Sequence, residues 1–214
     1  MRPVTVSVGP LAAAAANNIA LSQTPGAAGA LTLNGALVSG GIATLDNSRR
    51  VLITTADTTT LFTVIGTTPT GSALSESLKV VAGASYTAQD FKTVTSITTN
   101  QGTTAAVTVG TNGVASTPWV RLDEWADPHT SIQCNVVGTV SYTVQFSNDD
   151  PNDPTNPVLP SAMTWLNSND TNVVNAIASF LTNLTWTSRY VRTVLNSGSG
   201  SVTMTVIQAN VVNR

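Results

Sequence analysis

The sequence predicts an all-β protein made of two antiparallel β-sandwich or jelly-roll-like domains, and three observations support this fold class. Charged residues make up only 9% of the 214-residue chain, while 35 threonines supply β-branched side chains that fit a pleated sheet. Short alternating segments recur along the chain, with turn-forming Gly, Pro, Asn or Ser between them. In "DFKTVTSITTNQGTTAAVTVG" (90–110), apolar and hydroxyl residues alternate on both sides of a Gly, as in paired strands.

Residues 1–45 are expected to form an extended amino-terminal arm with the first strands, packed on the first domain or on neighbouring molecules. "VTVSVG" (4–9) alternates as a strand does, and Ala-rich and Gly-rich stretches follow it. The basic start and apolar middle are also typical of a secretory signal, but the alternation favours a strand. We therefore expect partner contacts to hold this arm.

Residues 46–116 are expected to form the first β-sandwich domain. Its strands are predicted at "RRVLITTA", "TLFTVIGT", "ALSESLKV", "FKTVTSITT" and "AAVTVGT". Pro and Gly in "TTPTG" (67–71) suit a tight turn and predict a hairpin between the second and third of these strands. "NQG" (100–102) predicts a second hairpin between the last two.

Residues 117–214 are expected to form the second β-sandwich domain, after a Gly, Ser and Pro junction near Ser116. Strands are predicted at "WVRLDEW", "SIQCNVV", "VSYTVQFSN", "RYVRTVLN" and "SVTMTVIQANVV". The last two, joined by "SGSG", repeat the aromatic start, basic residue and Gly turn of the predicted 90–110 hairpin. One segment differs: apolar residues from Val173 to Leu184 follow a helical spacing, which predicts a short helix near residues 171–184.

No catalytic constellation is recognisable, and we expect the protein not to be an enzyme. His129 is the only histidine and has no second ligand at metal spacing, and Cys134, the only cysteine, is expected to be a buried structural thiol. The scarce Lys and Arg argue against nucleic acid, and no apolar run reaches the roughly 18 residues of a membrane span. No cofactor is expected. A hydrolase with two facing carboxylates remains an alternative, although aromatic side chains to line a sugar cleft are few.

The acidic loop "SNDDPNDPTNP" (147–157) is the best candidate for a metal site. Asp149, Asp150 and Asp153 offer carboxylates at short spacing, which Ca²⁺ prefers. The loop lacks the spacing and the Gly of an EF-hand, and Asp, Asn and Pro also form ordinary turns. A solvated hairpin loop is therefore the favoured interpretation, with calcium as the alternative.

The order of these segments resembles a module of tailed-bacteriophage virion proteins. In that module an R-x-V-x-I-T strand (here 49–54) leads to F-T-V-x-G-T (62–67), G-x-x-x-x-E (71–76), F-K-T-V-T-S-I (91–97) and V-x-V-G-T (107–111). The carboxyl half is similar to the domain that often follows, with "VSYTVQFSNDDP" (140–151), a Thr-Trp pair (164–165), "RYVR" (189–192) and "SVTMTVIQ" (201–208). The chain departs from the module in its Thr-rich "TTPTGSA" turn and its long loop after Asn148.

The resemblance implies a structural protein of the virion, assembled in the cytoplasm of a bacterial host. We expect a capsid decoration or a head-tail connector or collar component that forms an oligomer and contacts capsid, portal, tail or collar proteins. The alternative is a tail-fibre module that binds a receptor or carbohydrate. Interface candidates lie in the arm and among the tryptophans: Arg2, Val4, Leu11, Ile19, Leu21, Trp125, Trp165 and Trp186.

Overall fold

The computed structural model describes residues 3–81, 83–125 and 129–208, and their regular structure is almost entirely strand. This confirms the all-β fold class. The strands are β1 (Val4–Val8), β2 (Ala15–Gln23), β3 (Gly29–Ala30), β4 (Val38–Ser39), β5 (Ile42–Thr55), β6 (Leu61–Thr67), β7 (Ala73–Lys79), β8 (Ala84–Tyr86), β9 (Phe91–Thr99), β10 (Val107–Ser116), β11 (Val120–Arg121), β12 (Thr130–Val137), β13 (Val140–Ser147), β14 (Leu166–Asn167), β15 (Phe180–Leu184), β16 (Tyr190–Gly198) and β17 (Ser201–Gln208). Short 3-10 turns lie at Pro160–Ala162 and Thr171–Val173.

The chain forms two compact units. The middle unit comprises Ala12–Gly113, and the terminal unit combines the described residues of Met1–Leu11 and Val114–Arg214. This division lies close to the boundary expected near Ser116. It differs from the expected arm of residues 1–45, because β1 pairs with β17 in the terminal unit while β2 pairs with β10 in the middle unit. The beginning of the chain is therefore built into both units as strands.

The middle unit arranges its main strands in the order β10, β5, β9, β6 and β7, with β2 on β10 and the short strands β3, β4 and β8 on β9 and β5. Alternation in these strands places one side of the sheet in a single apolar core, which includes Ile19, Ile53, Phe62, Phe91 and Val109. β6 and β7 pair from Leu61 with Lys79 to Thr67 with Ala73, so the predicted "TTPTG" hairpin is confirmed.

The predicted hairpin between β9 and β10 is wrong, because β5 lies between these two strands in the sheet. The connecting segment is held by other parts of the unit instead of closing a tight turn. The amide of Asn100 donates to the carbonyl of Leu61 (3.2 Å), and the amide of Thr103 donates to the carbonyl of Pro25 (2.8 Å). "NQG" is therefore part of a longer crossing loop.

The terminal unit is a sandwich of two antiparallel sheets. One sheet has the order β1, β17, β12 and β15, and the other has β14, β13 and β16, with β11 and the last residues of β10 also on β16. Both sheets contribute to the core, as Ile132 and Met204 do from the first and Tyr142 and Leu195 from the second. β16 and β17 belong to different sheets, so the expected hairpin at the end of the chain is wrong.

Cys134 lies between the two sheets of the terminal unit and is fully buried, as the sequence predicted. Its Sγ is 3.9 Å from the hydroxyl of Thr193 on the opposite sheet, and that hydroxyl also donates to Sδ of Met204 (3.1 Å). Burial raises the pKa of the Cys134 thiol to about 11. The thiol is thus a protonated packing group.

The predicted helix near residues 171–184 is wrong. The segment forms a single 3-10 turn at Thr171–Val173 and then the strand β15, which pairs with β12 from Phe180 with Cys134 to Leu184 with Thr130. Asp170 caps the turn, because its side chain accepts the amide of Asn172. The helical spacing marks no buried face, because Val173 and Leu184 are buried whereas Ile177, Phe180 and Leu181 between them are exposed.

Within the described ranges, we find no helix with the length and apolar character needed to cross a membrane.

Candidate functional site

Polar and aromatic side chains converge in the terminal unit at the carboxyl end of β13. The chain leaves β13 into the acidic loop, returns through β14, and passes the same end again in the turn between β15 and β16. Two cavities, of about 490 Å³ and about 350 Å³, share Asn148, Asp149 and Ser188 in their walls. We call them the acidic-loop cavity and the Trp186 cavity.

Asp150 is the buried anchor of the acidic loop. One carboxylate oxygen accepts the hydroxyl of Tyr190 (3.0 Å) and the amide of Asn152 (2.8 Å). The other lies 3.1 Å from a guanidinium nitrogen of Arg121 and 3.8 Å from one of Arg189. Burial, followed by the contact with Asp150, raises the pKa of the Tyr190 hydroxyl.

Arg189 connects the acidic loop to the turn before β16. Its Nη1 donates to Asp153 (2.7 Å), and its Nε lies 2.8 Å from a carboxylate oxygen of Glu124. The hydrogen bond from Arg189, together with the amides of Thr155 and Asn156, holds the pKa of Asp153 well below its usual range. Asp153 also raises the pKa of Arg189 in return.

This arrangement gives the calcium interpretation no support. Ca²⁺ takes 6–8 oxygen ligands, whereas the carboxylates of Asp150 and Asp153 are engaged by arginines and backbone amides. In the part of the chain that the structure describes, no group of three or more His, Cys, Asp or Glu is placed to hold a metal ion. The loop is held by ion pairs, and both arginines belong to strands or turns outside it.

Asp149 contacts a backbone amide instead of an arginine. Its Oδ2 accepts the amide of Thr164 (2.6 Å), which closes the long loop back onto β13. Asp149 lines both cavities. Of the three predicted carboxylates, only this one keeps an oxygen directed at neither an arginine nor a backbone amide of the described chain.

An aromatic cluster stands beside this site. The ring of Trp165 lies 5.4 Å from that of Trp119, and the Trp119 ring lies 6.2 Å from that of Tyr190. The guanidinium of Arg192 sits over Trp165 at 4.2 Å and donates from Nε (3.0 Å) and Nη2 (2.9 Å) to Oε1 of Gln145. Trp165 is therefore half-buried in its own unit.

The other interface candidates divide by exposure. Ile19 is fully buried in the middle unit, so its expected role as a contact is corrected to that of a core residue. Val4 and Leu11 are half-buried against the core of the terminal unit. Leu21 is exposed, and Trp125, at 86% exposure, is the most open of the large apolar side chains described. Trp186 is 41% exposed, and Arg2 lies outside the described residues.

Sequence reasoning missed the structural arginines. Arg49 was predicted only as the first residue of a strand motif, yet it is 1% exposed and donates to the carbonyls of Ala12 and Asn112 and to Asp46. The sequence likewise did not predict that Arg189 and Arg121 contact the acidic loop, because no local pattern places them beside it. His129 is exposed.

In comparisons with known proteins, no family model matches the chain, and no curated protein matches it.

Proposed function

We propose that the chain is a non-enzymatic structural component of a tailed-phage virion. It acts through protein-protein contacts as a capsid decoration or as a head-tail or collar protein, in an oligomer assembled in the cytoplasm of the bacterial host. The resemblance of its strand motifs to phage virion modules suggests the particle. The observation that carries the contact role is an uncharged outer face on the terminal unit.

This face is the solvent side of the sheet formed by β1, β17, β12 and β15. We call it the uncharged face, and it consists of Thr5, Ser7, Ser131, Gln133, Asn135, Val137, Leu181, Asn183, Ser201, Thr203, Thr205 and Ile207. A protein surface designed to stay free in solution carries about 25–35% charged residues. This face carries none.

The polar groups of the uncharged face are partly paired with one another. The hydroxyls of Thr5 and Thr205 lie 3.1 Å apart, and those of Ser7 and Thr203 lie 2.9 Å apart. A polar group that keeps a hydrogen bond loses less when water is removed than one that is left alone. These cross-strand pairs therefore lower the cost of covering the face.

Apolar side chains stand among these hydroxyls. Leu181 is 62% exposed and Ile207 is 47% exposed, and they lie on either side of β12 in neighbouring rows. Burying them would contribute roughly 25 cal/mol for each Å² of apolar surface removed from water. A sheet face with no charge to desolvate and apolar groups to bury suits lasting contact with another protein.

Quantitative mass spectrometry of purified particles of the phage that encodes the chain tests this proposal. Comparison with the major capsid protein gives the copy number. Hundreds of copies would support a head decoration, and about a dozen or fewer would support a collar or tail position. Particles that lack the protein would contradict the proposal.

A further inference from the structure

We propose that the Trp186 cavity binds one pyranose ring of an uncharged glycan. The cavity lies at the carboxyl end of β13, and the inference depends on its side chains alone. This inference goes beyond the virion proposal. The two are tested separately, because the composition of the particle and the binding of sugar are measured independently.

The aromatic part of the cavity is formed by Trp186 and Phe146. Their ring centroids are 6.2 Å apart with an interplanar angle of 71°, so Phe146 fixes the position of the indole from its edge. Trp186 still exposes 41% of its surface, and Leu166 beside it exposes 66%. A fixed and partly open indole offers an apolar surface to the C–H groups of a sugar ring.

The polar part of the cavity comes from amides and a carboxylate. The side chains of Asn148 and Asn169 have no hydrogen-bond partner within the described part of the chain. Asn167 uses its Oδ1 to accept from Gln145 (2.9 Å), and its Nδ2 donates to no described residue. Asp149 uses Oδ2 for the amide of Thr164, while Oδ1 has no partner among the described residues.

These groups match the hydroxyls of a sugar. Each hydroxyl both donates and accepts, so amide nitrogens, amide oxygens and a carboxylate oxygen can each find a partner on one ring. Ligand sites typically combine an aromatic or apolar wall with a few convergent polar groups in about 300–1,000 Å³. The Trp186 cavity, at about 350 Å³, lies at the small end of this range and suits a single ring.

The charge of the cavity selects the class of ligand. Among the described residues no Lys or Arg lines it, while Asp149 does, so a phosphate or a sugar acid would meet a carboxylate without a compensating cation from this part of the chain. Arg189 faces the adjoining acidic-loop cavity and is already paired with Asp153 and Glu124. A neutral pyranose is therefore favoured over a nucleotide or an acidic saccharide.

Saturation-transfer-difference NMR on the full chain provides the test. The probes are the methyl glycosides of glucose, galactose, mannose and N-acetylglucosamine, with adenosine monophosphate as the charged ring compound. We expect saturation transfer to the ring protons of at least one glycoside, with a dissociation constant on the order of 1 mM for a ligand this small. We expect none to the nucleotide.

Two variants locate the binding site. Trp186→Ala should weaken glycoside binding about tenfold or more, and Trp125→Ala, which removes an exposed indole of the same unit outside this cavity, should leave it unchanged. Because Trp186 also packs on Phe146, Asn169→Ala serves as the second variant. It should weaken binding without shifting Tm, since Asn169 is exposed.

The proposal is overturned if no glycoside of the panel receives saturation. It is also overturned if the nucleotide binds in preference to every glycoside, or if Trp125→Ala weakens binding while Trp186→Ala and Asn169→Ala do not.

Discussion

Asp57 shows how a single carboxylate can organise a loop in a protein with few charges. One oxygen accepts the amide (2.7 Å) and hydroxyl (2.8 Å) of Thr59 and the amide of Thr60 (3.1 Å). The other accepts the hydroxyl of Thr60 (2.8 Å) and the amide of Thr104 (2.9 Å). The side chain therefore joins the turn before β6 to the loop before β10, and it is buried.

We predict that Asp57→Asn lowers the thermal stability and removes a pH dependence. The amides of Thr104 and Thr59, aided by their hydroxyl neighbours, hold the pKa of Asp57 far below its usual range. In the unfolded chain the pKa is about 3.9, so at acidic pH the unfolded state binds more protons and the wild type loses stability as pH falls. The contribution of the carboxylate is complete above this pH.

The measurement is Tm of the wild type and Asp57→Asn between pH 7 and pH 2. Asn keeps the size of the side chain but turns an NH₂ toward N–H and O–H donors, so the deficit should be largest at pH 7. It should shrink as pH falls below about 4, because Asp57 of the unfolded wild type then takes up a proton while the folded form stays ionised, which lowers the free energy of unfolding of the wild type alone. A deficit that stays constant across this range would contradict the assignment.

At the scale of single elements, glycine in β10 allows the close approach of β2. A Cβ on Gly110 would overlap the carbonyl oxygen of Ala15, whereas a Cβ on Gly113 of the same strand would meet nothing within 4 Å. Neither glycine has a positive φ, so an alanine fits the backbone conformation at both positions. The pair separates the effect of crowding from that of backbone freedom.

Gly110→Ala should reduce the free energy of unfolding by about 1–3 kcal/mol, because β2 must move away from β10. Gly113→Ala should be neutral or stabilising by up to about 1 kcal/mol, since it only restricts the unfolded chain. Urea unfolding followed by circular dichroism measures both. Tryptophan fluorescence does not serve here, because all four tryptophans lie in the terminal unit. If the two variants are equally stable, a Cβ at position 110 does not crowd β2, contrary to the prediction.

The sequence predicted strands well because alternation is local. The strands from Val107 and from Val140, for example, follow directly from apolar residues at every second position. The prediction of strand pairing was correct only where a tight turn dictates it, as at "TTPTG". The predicted pairings of β9 with β10 and of β16 with β17 were wrong, because the true partner of each strand lies far along the chain and no local pattern marks it.

The candidate site was predicted only in part, for a related reason. The carboxylates at Asp149, Asp150 and Asp153 were visible as a cluster, but their partners Arg121 and Arg189 reach them from other segments. Likewise, Trp186 was predicted as an interface residue without its neighbours Asn148 and Asn169, since the fold alone brings β13, β14 and the turn before β16 together.

At the scale of the whole molecule, low charge changes how copies of the chain meet. The net charge is −2, and most of the few charged side chains form contacts within the chain, such as those of Arg49, Asp57 and Arg189. Two copies that approach through the uncharged face meet no like charges, which otherwise disfavour a two-fold contact of identical patches. We therefore propose a second copy of the chain as the partner of this face.

We accordingly predict that the chain forms oligomers through the uncharged face, and that Leu181→Asp with Ile207→Asp dissociates them. A contact with two-fold symmetry would bury the introduced carboxylates of both copies and bring equivalent ones close together, at a cost of several kcal/mol. Light scattering after size exclusion should give a multiple of 22.0 kDa for the wild type and a single 22.0 kDa species for the variant. Ile65→Asp, at an exposed site on the middle unit, is the matched control and should leave the oligomer intact. A wild type that stays monomeric at all concentrations, or a control that dissociates equally, would show that assembly does not use this face.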